Sequence, residues 1–279
     1  MFHQVITALA FPIVKLGINQ IDALTYAFFR FSLASLIYIP ILLTLRHRKE
    51  MPARDHFRIF IIGLLLIILN QAMFIYGQSM TTASHSSLLF ATLPIFIYIL
   101  AIAFLGEKPT YRRSAGILIA AIGVYIILSG GKVEFGTETL IGDLLVLIAV
   151  VAWAVATILV KPLAVKYGAF RVTGLALVYG SIVYAPYGLY RALICDYSGV
   201  TWVGWASLAY LVLAISILAY FIWYWVLKYM EASRVAVIQN VQPLIASAVA
   251  VVVLSETISG GFVIGGIVVI AGVILTEIK

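Results

Sequence analysis

Charge is what this sequence has least of. Its 279 residues hold only 11 Asp and Glu and 18 Lys and Arg, or 10% charged, against about 25% in soluble domains. That shortage excludes a disordered chain, a long coiled coil and an ordinary water-soluble domain. Cysteine occurs once, at Cys195, so an internal disulfide framework is excluded and cysteine usage says nothing about the redox compartment. His-Glu-x-x-His, Gly-x-Ser-x-Gly, Gly-x-x-x-x-Gly-Lys-Ser/Thr and any Cys/His cluster at metal-ligand spacing are all missing, which removes the common hydrolase, nucleotide-binding and metal motifs. No apolar stretch carries a central Asp or Glu pair of the kind that proton relays and cation sites use. What the chain does have is apolar surface: 64% hydrophobic residues and a mean hydropathy of +1.13. At roughly 20 residues per membrane-spanning helix, there is length for about ten spans and little else.

Polar punctuation divides the chain into spans over residues 1–16, 22–45, 56–79, 82–105, 112–130, 139–161, 168–193, 202–228, 232–254 and 259–278. The first is short, and it lacks the positive n-region of a cleavable signal peptide. Basic residues fall on alternate loops: Arg46, Arg48, Lys49, Arg54 and Arg58; Lys108, Arg112 and Arg113; Lys161, Lys166 and Arg171; Lys228 and Arg234. With Lys279 these make 14 of the 18 Lys and Arg. Because cytoplasmic loops collect positive charge, the expectation is a multi-pass protein of the cell membrane with both termini in the cytoplasm.

An internal repeat is the strongest signal. Ala83-Ser84 matches Ala232-Ser233, Pro94 matches Pro243, Glu107 matches Glu256, Gly116 matches Gly265 and Gly123 matches Gly272, all at an offset of 149. Earlier in the halves, Ser35, Tyr38 and Pro40 match Ser181, Tyr184 and Pro186, and Lys15 falls on Lys161, at an offset of 146. Five spans per half is an odd number, so the second copy must enter the membrane upside-down. The expected fold class is an all-α integral membrane protein with ten transmembrane helices as two inverted five-helix repeats, residues 1–131 and 132–279. Secondary carriers built this way hold their substrate near the midplane, between the repeats.

The stretch Phe11-Pro-Ile-Val-Lys15-Leu-Gly17, the run Phe29-Arg30-Phe31, Leu105-Gly106-Glu107 with its echo Leu254-Ser255-Glu256, and the Gly-rich fifth and tenth spans resemble the EamA-type branch of the drug/metabolite transporter superfamily. The resemblance covers almost the whole chain. It implies a ten-helix carrier with both termini inside and a central cavity that moves small metabolites by alternating access. The Trp-Gly pair usual in the first span of that family is replaced by Leu9-Ala10.

Polar and aromatic residues at matched depths mark a candidate site. Asn70, Phe74, Gly77 and Gln78 share one face at helical spacing, and Asn70 and Phe74 align with Tyr220 and Tyr224, next to Trp223. Lipid offers no hydrogen bonds, so such groups belong inside the bundle, as cavity lining or as interhelical ties. Asn240, flanked by Gln239 and Gln242, lies just before Pro243, which repeats Pro94, and each mid-span proline frees a carbonyl and is a candidate hinge. Phe11 and Trp153 complete the expected substrate-binding set of Phe11, Asn70, Phe74, Gln78, Trp153, Tyr220, Trp223, Tyr224, Gln239 and Asn240.

Structural roles are favoured elsewhere. Glu107 and Glu256 are expected to cap the following helices, Lys15 to snorkel, Arg30 to anchor the bundle against a helix end, with contact to an anionic substrate group as its alternative, and His85 to be solvated. The Gly116/Gly123 and Gly261/Gly265/Gly272 stripes are expected to pack helices closely, within the protomer or at a homodimer contact. The function expected is secondary transport of small organic metabolites, amino acids or similar amphipathic solutes, as an exporter or facilitator, with no enzymatic activity, no metal, no cofactor and no nucleic acid. An intramembrane lipid-modifying enzyme without a recognisable motif is the alternative.

Overall fold

The computed structural model describes residues 2–45, 50–130, 137–254 and 260–277, and among them the backbone is helical nearly throughout, with no strand. The helices are α1 (Phe2–Ile18), α2 (Ala23–Leu45), α3 (Ala53–Met80), α4 (Ala83–Phe90, then Leu93–Leu105), α5 (Tyr111–Gly130), α6 (Thr137–Tyr167), α7 (Ala169–Ile194), α8 (Trp202–Leu227), α9 (Ala232–Val237, then Gln242–Leu254) and α10 (Gly260–Glu277). Each expected span has its helix. The largest boundary difference is at α6, which runs through Pro162 to Tyr167. Five of the helices, α2, α3, α6, α7 and α8, are long and apolar enough to cross a membrane, and α1 is a shorter apolar helix. Outward-facing apolar side chains such as Leu36, Phe104 and Val252, 64%, 72% and 81% exposed, form an apolar surface of the kind that suits a lipid surrounding.

Local chemistry sets the helix ends. Pro52 precedes α3, where its missing N–H costs nothing. Gly106, at φ 69, ends α4 in the left-handed conformation that glycine adopts without strain. Thr201 caps α8 by accepting a hydrogen bond from Val203 N at 3.3 Å. Asp22 caps α2 through Thr25 N at 2.9 Å and pairs with Arg191 of α7 at 2.6 Å.

The packing keeps the symmetry read from the repeat. Helix α5 packs on α10, α2 on α7 and α4 on α9; α3 lies against α6 and α7, while α8 lies against α1 and α2. Exchanging the first five helices for the last five leaves these pairings unchanged. Ser35 and Ser181, matched in sequence, hydrogen-bond to each other at 2.9 Å. The glycine stripes pack within the protomer. A Cβ on Gly123 would lie 2.7 Å from the Gly265 carbonyl oxygen, and one on Gly272 would lie 2.5 Å from that of Gly116. The 149-residue offset converts each of these contacts into the other.

Four helices depart from α geometry where they pass the centre. In α3 and α8, the segments Leu65–Ala72 and Leu211–Ala219 are π-helical, a widened geometry that is common at functional sites. Helix α4 is interrupted at Ala91-Thr92, and Pro94 stands in the first turn of its second segment. Helix α9 is interrupted by the 3₁₀ turn Ile238–Val241. The side chains of Asn240 and Pro243, and Glu256 altogether, lie outside the described residues.

Candidate functional site

The interrupted and widened segments surround a cavity of about 80 Å³ to which seven helices contribute. Helix α1 supplies His3, Thr7, Ala10, Phe11 and Val14; α2, Arg30; α3, Gln71 and Phe74; α4, Phe90; α6, Trp153; α8, Ile215, Tyr220 and Trp223; α9, Gln239 and Gln242. One wall is a phenyl cluster in which Phe11 meets Phe74 and Phe90 edge-on, with centroids 5.7 Å away in both cases. The facing wall is built on Trp153, 5.1 Å from Tyr220 and 6.1 Å from Trp223. The His3 ring stacks on Trp223. Gln242 donates to Gln4 Oε1 and to Thr7 Oγ1, 2.7 Å in each case, tying α9 to α1.

Of the residues expected from sequence, Phe11, Phe74, Trp153, Tyr220, Trp223 and Gln239 line this cavity. Asn70, Gln78 and Tyr224 are buried behind it. Asn70 Nδ2 donates to the Ala149 carbonyl of α6 at 2.7 Å, and Gln78 Nε2 donates to the Phe11 carbonyl at 2.9 Å. The Tyr224 hydroxyl is buried without a partner. The reason for Asn70 is geometric. Gln71, the next residue and three before Phe74, faces the cavity in its place; Asn70 and Gln71 both lie within one helical turn of Phe74, and the bond to Ala149 draws Asn70 toward α6.

Two residues outside the expected substrate-binding set, His3 and Arg30, define its polar character. His3 lies in the first turn of α1. Arg30, expected to anchor against a helix end, is 1% exposed and meets no helix end. Its Nε donates to Ser216 Oγ at 3.0 Å, and its Nη1 donates to Gln71 Oε1 at 2.7 Å. Gln71 Nε2 in turn donates to Asn70 Oδ1, so a chain of amides fixes the guanidinium to the α6 backbone. Nη2 and the neighbouring Tyr220 hydroxyl make no hydrogen bond of good geometry; what they have is each other and the nearby Gln71 amide. No carboxylate among the described residues pairs with Arg30, and the lining holds no acid. An arginine stays ionised, and burying an uncompensated charge costs several kcal/mol. Polar neighbours and the Phe31 ring, 4.9 Å from the guanidinium carbon, offset part of that cost.

Polar clusters tie helix ends together on both sides of the cavity. At one end, Lys15 donates to the Gln78 and Thr81 carbonyls, 2.8 and 2.6 Å away, at the C-terminus of α3, where a cation suits the helix dipole. There Thr81 and His85 both contact the Asp143 carboxylate, so His85 has a partner besides solvent. At the other end, Glu107 caps α9 rather than the helix that follows it in sequence. It accepts from Ala232 N at 2.7 Å and Ser233 Oγ at 2.5 Å, with Lys161 Nζ at 3.4 Å. Burial alone would raise the Glu107 carboxyl, but the bonds from Ser233 and Ala232 and the charge of Lys161 outweigh it and hold the group below the usual glutamate range. Arg113 and Glu231 form a second ion pair between α5 and the start of α9.

The model of the EamA-like transporter family matches twice, over residues 1–129 and 140–278. The chain belongs to that family. An "Uncharacterized transporter" of Archaeoglobus fulgidus is 30% identical, with 99% of this chain and 95% of that protein covered. YetK of Bacillus subtilis, also named an uncharacterized transporter, is 29% identical over 95% of this chain and 81% of its own length. A "Probable terminal-alkyne amino-acid exporter" of Streptantibioticus cattleyicolor is 30% identical over 96% and 88%. One solved crystal structure superposes with a TM-score of 0.74 at 16% identity, covering 99% of this chain and 95% of that one, a likeness of fold alone. This EamA-type chain is therefore a multi-pass membrane transporter.

Proposed function

We propose that the protein is a secondary carrier of small amphipathic metabolites, amino acids or similar solutes, working by alternating access as an exporter or facilitator. In this reading residues 1–131 and 132–279 are inverted five-helix repeats in the cell membrane, with both termini in the cytoplasm, and they rock about the cavity they share. The observation that carries it is the cavity itself, which lies between the halves, has aromatic walls for an apolar body and carries a few convergent polar groups to orient a head group. The wide turns in α3 and α8 and the breaks in α4 and α9 give each half a matched pair of deformable points beside it. The amino-acid exporter of S. cattleyicolor favours the same class of solute.

Counterflow tests it. Purified protein in proteoliposomes preloaded with unlabelled amino acids is expected to accumulate the labelled solute transiently, and Trp153→Ala to abolish this. Flux equal to that of empty vesicles across an amino-acid and metabolite panel would remove the carrier reading.

A further inference from the structure

The cavity holds a buried cation with nothing to neutralise it. Arg30 is fixed from two sides, by Ser216 of α8 and by Gln71 of α3, and the fixing leaves Nη2 over, buried beside the Tyr220 hydroxyl with neither group in a hydrogen bond of good geometry. A bundle that needed Arg30 only as a structural tie would satisfy its remaining donor with a carbonyl or an acid, and here neither is found among the described residues. An arginine and a hydroxyl donor together match a carboxylate, which accepts from both.

Resting on the carrier reading above, we propose that Arg30 and Tyr220 seat the carboxylate of the transported solute, whose apolar body lies against Phe11, Phe74 and Phe90. The lining offers no acid to an ammonium group, only neutral acceptors in its amides, Thr7 and His3 and the faces of Trp153 and Trp223. The carboxylate is therefore the required group and the amine is dispensable, so the substrate class is the small apolar monocarboxylates, amino acids included. Asn70 is a positioning residue that acts through Gln71.

Binding can be followed by the fluorescence of the two cavity tryptophans in detergent-solubilised full-length protein, independently of transport. The probes are L-leucine, 4-methylpentanoate, L-leucinamide and 3-methylbutylamine. The two acids are expected to bind, and the amide and amine to bind about tenfold or more weakly, as befits a lost charge-assisted contact. Arg30→Gln should erase the preference of acid over amide. Arg30→Lys, which keeps the charge, should retain part of it, and Phe74→Ala should weaken the acids without changing the preference. Equal binding of acid and amide, silence of both acids at millimolar concentration, or a preference that survives Arg30→Gln would overturn the proposal. Counterflow of the same four compounds separates the two ideas. Flux without the preference removes the carboxylate seat and leaves the carrier; the preference without flux removes the carrier and leaves the seat.

Discussion

Replacing Glu107 by Gln tests how the bundle is held shut at the α4–α9 end. The carboxylate accepts from Ala232 N and Ser233 Oγ and faces Lys161, and its side chain is only 6% exposed, so solvent screens these contacts little. Glutamine keeps the shape and one acceptor oxygen. It loses the other acceptor and the charge, and it leaves Lys161 without its counter-ion. A hydrogen bond to a charged group contributes about 1.5–3 kcal/mol, and the ion pair, longer and more exposed on the lysine side, adds up to about 1 kcal/mol. A loss of about 2 kcal/mol shifts a two-state equilibrium roughly 30-fold, which takes an open state populated at about 1% to about a fifth. Spin labels at Lys108 and Tyr229, both exposed, in a Cys195→Ser background, report the separation of the two helix ends. The wild-type chain should give one dominant short distance, and Glu107→Gln should add a longer one. An unchanged distance distribution would refute the idea that these contacts hold this end closed.

The same carboxyl dictates a pH dependence. Its folded value is depressed, so its contribution is fully present above the usual glutamate value of about 4.3 and is lost as pH falls through the depressed value. The distance distribution should be the same at pH 7 and pH 5, should broaden below about pH 4, and should not respond to pH in Glu107→Gln. Gly180→Val should destabilise the bundle by about 1–3 kcal/mol or more, because even a Cβ there would sit 2.4 Å from the Gly63 carbonyl oxygen; a thermal unfolding midpoint as high as that of the wild type would contradict the tight α3–α7 crossing. Tyr224→Phe removes a buried hydroxyl with no partner, so it should be neutral or stabilising and leave solute affinity unchanged; a loss of affinity would place Tyr224 at the solute after all.

Much of this architecture is legible in the order of residues. Spans emerge from hydropathy because lipid demands it, and Pro94, Glu107 and Gly123 stay in step with Pro243, Glu256 and Gly272 because two copies that pack on each other must keep the same contacts. Part of the aromatic lining is legible from the repeat as well, since Phe74 and Tyr220 lie on the stretch where Asn70 and Phe74 align with Tyr220 and Tyr224. What is not legible follows from local geometry and from distance along the chain. Gln71 rather than Asn70 lines the cavity; both fall within one helical turn of Phe74, so helical spacing alone does not choose between them. The partner of Glu107 lies 125 residues away, so a rule about neighbouring helix ends assigns it to the wrong helix. Arg30 looks like an anchor until its surroundings prove to contain no acid.

The central claim is that one cavity between the two halves opens in turn to each side of the membrane. Ala10 lines that cavity, and Ala10→Cys in a Cys195→Ser background puts a single thiol there. Its reaction with a membrane-impermeant thiol reagent, applied separately to each face of oriented membranes, tests the claim most directly. The carrier predicts labelling from both faces and protection by saturating L-leucine. Labelling from one face alone under every condition, or from neither, would contradict it.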